Sequence, residues 1–161
     1  MEQTKIFLNT WGAYNNGSIG YGWMTPEEAR DFIEADEERD GGEWFIADID
    51  NYLGIEFTKL EYRNVMDVIE TIETLESMAD WEIEETIALM KYLSTDDVNE
   101  AIEERDNYSI FSSTDDYLEM CDESIDFRGN DILERYFDYE AYHRDCMFDA
   151  YEADNGVVIV C

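Results

Sequence analysis

By type, the residues best suited to chemistry are one histidine, three cysteines and a large surplus of carboxylates. His143 is followed by Cys146 one helical turn later, a spacing that could pair a general base with a thiol nucleophile. Nothing around the pair marks a strained turn or an oxyanion hole. Two ligands at i, i+3 also do not make a zinc site, because Cys121 and Cys161 could join them only by tertiary coincidence. His143 is therefore expected to pack on or near an aromatic helix, and no catalytic residue is assigned. The nearest approach to a calcium loop starts at Asp36, with Glu38, Asp40 and Gly41 in place, but Ala47 stands where a bidentate Glu is required. Asp48-Ile49-Asp50 is a carboxylate pair of a kind frequent by chance in so acidic a chain. Gly17, Gly20 and Gly22 lack the following helix that a dinucleotide fingerprint needs. No metal and no cofactor are expected.

The carboxylates themselves form the informative pattern. Asp67, Glu70, Glu73 and Glu76 recur every three residues, which on a helix advances about 4.5 Å per step and winds slowly around the outer face. Asp80, Glu84, Asp96, Asp97, Glu100, Glu103 and Glu104 extend the series, and Asp115, Asp116 and Glu119 follow. Like charges at this spacing each cost about 0.2–0.5 kcal/mol of helix stability, and an ordinary surface relieves the cost with interleaved Lys. Between Val65 and Met90 there is none. Duplex DNA carries one phosphate per about 3.4 Å of each strand, so these carboxylates read as candidate phosphate mimics.

The chain has 161 residues, 42 Asp and Glu against 10 Lys and Arg, and a net charge of −32. Matched one charge to one phosphate, that would imitate about 16 base pairs over about 54 Å. Direct nucleic-acid binding through a basic groove and binding to an anionic membrane are both excluded, since each needs clustered bases. No stretch approaches the about 20 apolar residues of a bilayer span, and Met1 to Thr10 lacks the pattern of a secretory signal, so a cytoplasmic location is expected. Three cysteines without a CxxC spacing fit reduced thiols. Such charge can signal disorder or salt adaptation, but the 23 aromatic residues sit in periodic segments that can build a core.

These residues need elements to hold them. Lys5 to Asn9 reads as a strand, Tyr14-Asn15-Asn16-Gly17-Ser18 as a hairpin turn, and Ile19 to Trp23 as the returning strand. Thr25-Pro26-Glu27-Glu28 starts a helix with a capping box, ending before Gly41-Gly42, and Glu43 to Asn51 alternates as a third strand with Trp44, Ile46 and Asp48 on one face. Residues 61–105 are helical, with one helix over Val65 to Leu75, a second over Trp81 to Met90, and a third short one opened by Ser94-Thr95-Asp96-Asp97 and running through Arg105 with Val98 and Ile102 as its apolar side. A short strand at Tyr108 to Phe111 precedes a helix capped by Ser112-Ser113-Thr114 and running to about Phe127. One or two aromatic helices follow Arg128-Gly129-Asn130, and a hairpin turning at Asp154-Asn155-Gly156 closes the chain. The expected class is α+β, in three small units at 1–60, 61–106 and 107–161.

The chain also resembles a known family. Ile6-Phe7-Leu8-Asn9 with Tyr14-Asn15-Asn16-Gly17 and Gly22-Trp23, then Glu43-Trp44-Phe45-Ile46-Ala47-Asp48, and above all the segment Tyr136 to Asp145 (YFDYEAYHRD) are similar to the ArdA antirestriction proteins. The resemblance implies an elongated homodimeric mimic of bent B-form DNA, carried by conjugative elements and phages, that occupies the DNA groove of type I restriction–modification enzymes. It implies three units in series and dimerisation through the C-terminal one, which points to Tyr136, Phe137, Tyr139 and Tyr142 as interface residues. The segment from Phe127 to Tyr136 departs from the family by being short and without proline, and His143 stands where a small residue is usual. The expected function is non-enzymatic inhibition of restriction, and of modification where the same groove serves both, through the modification and specificity subunits. The alternative is an acidic mimic or adaptor aimed at another basic partner, such as a CRISPR effector or nucleoid protein.

Overall fold

The computed structural model describes residues 3–161 and has two small antiparallel sheets among helices, the α+β class expected. The chain divides into two compact units, one running to Ala79 and including Thr95–Asn99, the other made of Asp80–Ser94 and Glu100–Cys161.

The first unit is built on β1 (Lys5–Thr10), α1 (Trp11–Asn15), β2 (Gly22–Met24), α2 (Pro26–Ala35), β3 (Trp44–Asp50) and α3 (Val65–Glu76). Its sheet has the order β2-β1-β3, with β1 in the middle. Ile6 and Leu8 of β1 are fully buried with Ile46 of β3, and Val68, Ile69, Ile72 and Leu75 of α3 add a helical stripe at the expected spacing.

The connection from β1 to β2 differs from the sequence expectation. Asn16-Gly17 is not a hairpin turn: Thr10 caps α1 by accepting the Ala13 N–H at 3.2 Å, and Gly17 ends that helix at φ 86°. The Ser18 N–H reaches back to the Ala13 carbonyl at 2.9 Å and the Gly17 N–H to the Tyr14 carbonyl at 3.0 Å, the pair of bonds of a Schellman stop. A left-handed glycine serves either device, so the local signal did not decide between them. β2 is correspondingly later and shorter than expected. In β3 the expected alternation breaks, because Leu8 pairs with Ile46 while Phe7 pairs with Asp48. The extra residue is a bulge that buries the consecutive Phe45 and Ile46 and leaves Asp48 exposed.

The capping box is present as read. Thr25 Oγ1 accepts the Glu28 N–H at 3.2 Å, and Glu28 Oε2 accepts the Thr25 N–H at 2.9 Å. The helix stops at Ala35, well before Gly41. Thr25→Ala should cost about 1 kcal/mol and Thr25→Ser much less. In a thermal melt followed by circular dichroism this is a fall of about 2–4 °C for Ala, and an equal fall for Ser would rule out the cap as its cause.

The second unit contains α4 (Asp80–Leu93), the end of α5 (Val98–Glu104), β4 (Ser109–Phe111), α6 (Thr114–Glu123), α7 (Asp131–Arg135), α8 (Tyr139–Phe148), β5 (Tyr151–Glu152) and β6 (Val158–Val160). The C-terminal hairpin forms as expected, and its β6 is the middle strand of a sheet ordered β4-β6-β5. Val158 joins Tyr117 and Cys121 of α6 in a core against which Tyr142, Cys146 and Met147 of α8 pack. α6 ends at Glu123 rather than near Phe127, because Ser124 donates its hydroxyl to the Cys121 carbonyl at 2.6 Å and the chain then turns. Among the described residues no helix is long and apolar enough to cross a membrane.

Candidate functional site

Three residues advance a helix by 300°, so a carboxylate every third position slips back about 60° per step. Along α3 that drift carries the series from solvent to the packed side. Asp67 and Glu70 are exposed, whereas Glu73 and Glu76 are half-buried. Glu73 receives two hydrogen bonds from the Arg30 guanidinium of α2, at 2.8 and 2.9 Å, and Glu76 accepts the Thr4 N–H at 3.1 Å. The outer-face reading therefore needs correction for these two, which tie α3 to α2 and to the chain just ahead of β1. Asp96 is likewise engaged, by Arg63, while Asp97 is exposed and caps α5 by accepting the Asn99 N–H at 2.9 Å. Asp67, Glu70, Asp96 and Asp97 rim a cleft of about 370 Å³ whose apolar wall is Phe57, Tyr62 and Val68. Acid over an apolar wall suits a side chain with a methylene stem and a cationic head.

In the second unit Asp80, Glu84, Glu100, Glu103, Asp115, Asp116 and Glu119 are exposed. Glu104 is half-buried and accepts from Asn107 Nδ2 at 2.9 Å. Asp115 and Asp116 occupy the first turn of α6, where the helix dipole favours negative charge, so they carry a local advantage that the later α3 acids lack. Ten of the fourteen expected carboxylates are thus exposed, and four are drawn into the fold.

The bases explain which. Arg30, Arg63 and Arg105 meet Glu73, Asp96 and Glu85, whose side chains are 34, 14 and 12% exposed. Glu85, which the sequence reading did not single out, lies on a stretch of α4 buried from Glu85 to Met90. An acid in such a place needs a partner, since an unpaired buried charge is costly. These three arginines are thus placed at acids the fold draws in, and from Val65 to Met90 no base is interleaved among the exposed acids.

The aromatic candidates divide in the same manner. Tyr136 is 79% exposed. Phe137 is half-buried and centres an edge-on cluster with Phe127, Tyr139 and Tyr142 at 5.3, 4.9 and 5.5 Å. Tyr142 also donates its hydroxyl to the Cys121 carbonyl at 3.0 Å, so these rings build the unit itself. The sequence reading missed Ile132 and Leu133 on α7, which are 65 and 58% exposed beside Tyr136. Their spacing, i, i+1 and i+4 after the Asn130 cap, was the available signal. Arg128, Arg135 and Arg144 around them are exposed and form no ion pair with a described residue.

His143 packs between Tyr139 and Tyr142, and its Nε2 lies 2.7 Å from Asp122 Oδ1 rather than on Cys146. Burial, then contact with Cys121, raises the Cys146 thiol above its ordinary pKa, the opposite of an activated nucleophile. Among the described residues no group of three or more His, Cys, Asp or Glu is arranged to hold a metal ion.

Among curated proteins, none matches this chain. The profile of the antirestriction protein (ArdA) family matches residues 6–159, nearly the whole length. It spans both sheets, the acidic helices and the YFDYEAYHRD segment that runs into α8. The chain belongs to the ArdA family of antirestriction proteins.

Proposed function

We propose that the protein acts as a DNA mimic, occupying the DNA groove of a type I restriction–modification enzyme and contacting its modification and specificity subunits. The observation that carries this reading is the exposed carboxylate series on α3 to α6, with no base at all from Val65 to Met90 although like charges at this spacing cost the helices stability. A basic groove that has evolved to neutralise phosphates would bind such a series and displace the cations gathered around it, as it displaces the condensed counterions of DNA. Inhibition then requires no chemistry, only occupancy, and it extends to methylation wherever the same groove serves both reactions. The setting is the cytoplasm of a bacterial host, on behalf of a mobile element, and the protein itself binds no nucleic acid. The active form is a homodimer joined through Ile132, Leu133 and Tyr136. These apolar side chains sit in a stretch, Phe127 to Arg144, where three arginines offset four acids to leave a net charge of −1.

Competition tests the reading. A purified methyltransferase complex of modification and specificity subunits, holding a fluorescent duplex with its recognition sequence, should lose that duplex as the protein is added, with full displacement at saturation. Both the duplex and the protein should bind more weakly as salt rises. If the duplex stays bound at saturating protein, or if the protein forms a ternary complex with it, the mimic reading fails.

A further inference from the structure

Cys121 and Cys146 form a pair that neither mimicry nor the fold class requires. Cys121, on α6, lies in the core of the second unit, and Cys146, on the facing α8, is half-buried beside it. The helices are clamped reciprocally at these two residues. Tyr117 of α6 donates its hydroxyl to the Cys146 carbonyl at 2.8 Å, and Tyr142 of α8 donates to the Cys121 carbonyl at 3.0 Å. Within that clamp Cys146 packs against the core cluster to which Cys121 belongs, each cysteine one helical turn beyond the tyrosine that bonds the other helix. Cys161, by contrast, is exposed, and its sulfur is 3.5 Å from the Tyr92 hydroxyl, so it takes no part in the pair.

We propose that Cys121 and Cys146 are a redox-sensitive pair that closes to an intramolecular disulfide when the protein meets a peroxide. Cys146, the more exposed, reacts first. Its sulfur attacks one peroxide oxygen, the S–O bond forms as the O–O bond breaks, and the thiol proton leaves with the departing hydroxide as water. The Cys121 sulfur then attacks the Cys146 sulfur, the S–S bond forms as the S–O bond breaks, and the second hydroxide takes the Cys121 proton as a second water. Two thiols and one peroxide give one disulfide and two waters, with two electrons passed to the peroxide. The closed bond staples α6 to α8 and encloses the loop that carries α7, with Ile132, Leu133 and Tyr136. Loop closure of this kind constrains the unfolded chain, so the oxidised protein should resist unfolding more than the reduced one.

Burial holds the Cys146 thiol protonated, and Tyr117 beside Cys121 is itself pushed up to about 12, chiefly by burial and then by that contact. The reaction is therefore slow at neutral pH and quickens as pH rises, by about tenfold per unit while the thiol remains mostly protonated. This makes the pair a responder to sustained oxidation and leaves it reduced in an ordinary cytosol.

The test uses the full chain carrying Cys161→Ser, which removes the exposed thiol, treated with hydrogen peroxide and then denatured and alkylated. The expected result is an intact mass lower by two hydrogens, no alkylated cysteine, a peptide linking Cys121 to Cys146, and a higher melting temperature that dithiothreitol reverses. In the same background Cys121→Ser should stop at a sulfenic acid on Cys146, trapped by dimedone. Two alkylated cysteines after oxidation, sulfinic acids in place of the link, or a disulfide between two chains would overturn the pairing. A dimedone adduct on Cys121 in the Cys146→Ser protein, with none on Cys146 in the Cys121→Ser protein, would overturn the order of attack.

Discussion

Replacing Asp67, Glu70, Asp80, Glu84, Asp97 and Glu103 together by their amides should weaken binding to the methyltransferase complex by about tenfold to ten-thousandfold. The range follows from about 0.2–1 kcal/mol for each exposed charge pair, summed over six and converted at about 1.4 kcal/mol per decade. All six are exposed, and amides keep the Asp97 cap on α5, so the change removes charge with little change of shape. The slope of log affinity against log salt should flatten by up to about one for each carboxylate neutralised. Singly, each amide should cost less than about fivefold. The sign of the stability change separates the removal of charge from damage to the fold. Removing like charges relieves repulsion, so the sextuple variant should melt no lower than the parent. Glu73→Gln and Asp96→Asn should behave oppositely, lowering the melting temperature by leaving Arg30 and Arg63 unpaired while hardly changing affinity. A sextuple variant that displaces duplex as well as the parent would sink the distributed mimic, as would a single amide that accounts for the whole effect.

That choice of six could not have been made from the sequence. The period-three series was visible, as were the caps of α2 and α6, the α3 stripe and the C-terminal hairpin, because each is written within a few adjacent residues. Which acids the fold takes inward was hidden, since Arg30 reaches Glu73 and Arg105 reaches Glu85 across long stretches of chain. The same holds for sheet order: β6 lies between β5, its hairpin partner, and β4, which comes before α6. Asn16-Gly17 misled for the opposite reason, a strong local signal that two different turns share. For the aromatic segment, the family resemblance pointed to Tyr136 and to the large rings of Phe137, Tyr139 and Tyr142. Those rings are the ones that found partners within the chain, and the smaller Ile132 and Leu133 were left outside.

Leu133→Glu with Tyr136→Glu should convert the protein from dimer to monomer, read by light scattering as a fall from twice the 18.9 kDa chain mass to that mass itself. Both side chains are more than half exposed, so their replacement removes association and leaves the core of Tyr117, Cys121 and Val158 intact. Bringing together two chains of −32 is opposed by long-range repulsion, which is screened as the Debye length falls from about 30 Å at 0.01 M salt to about 3 Å at 1 M. An interface of apolar side chains loses nothing to that screening, so the parent should dimerise more tightly as salt rises. Binding to a basic groove should weaken over the same range. The two associations of one acidic protein are thus expected to respond to salt with opposite signs, which no shared electrostatic patch would produce. A parent that is monomeric at high salt, or a double variant that remains dimeric, would move the interface away from α7. Dimerisation that weakens with salt would show that Arg128, Arg135 and Arg144 hold it by charge rather than Leu133 and Tyr136 by burial.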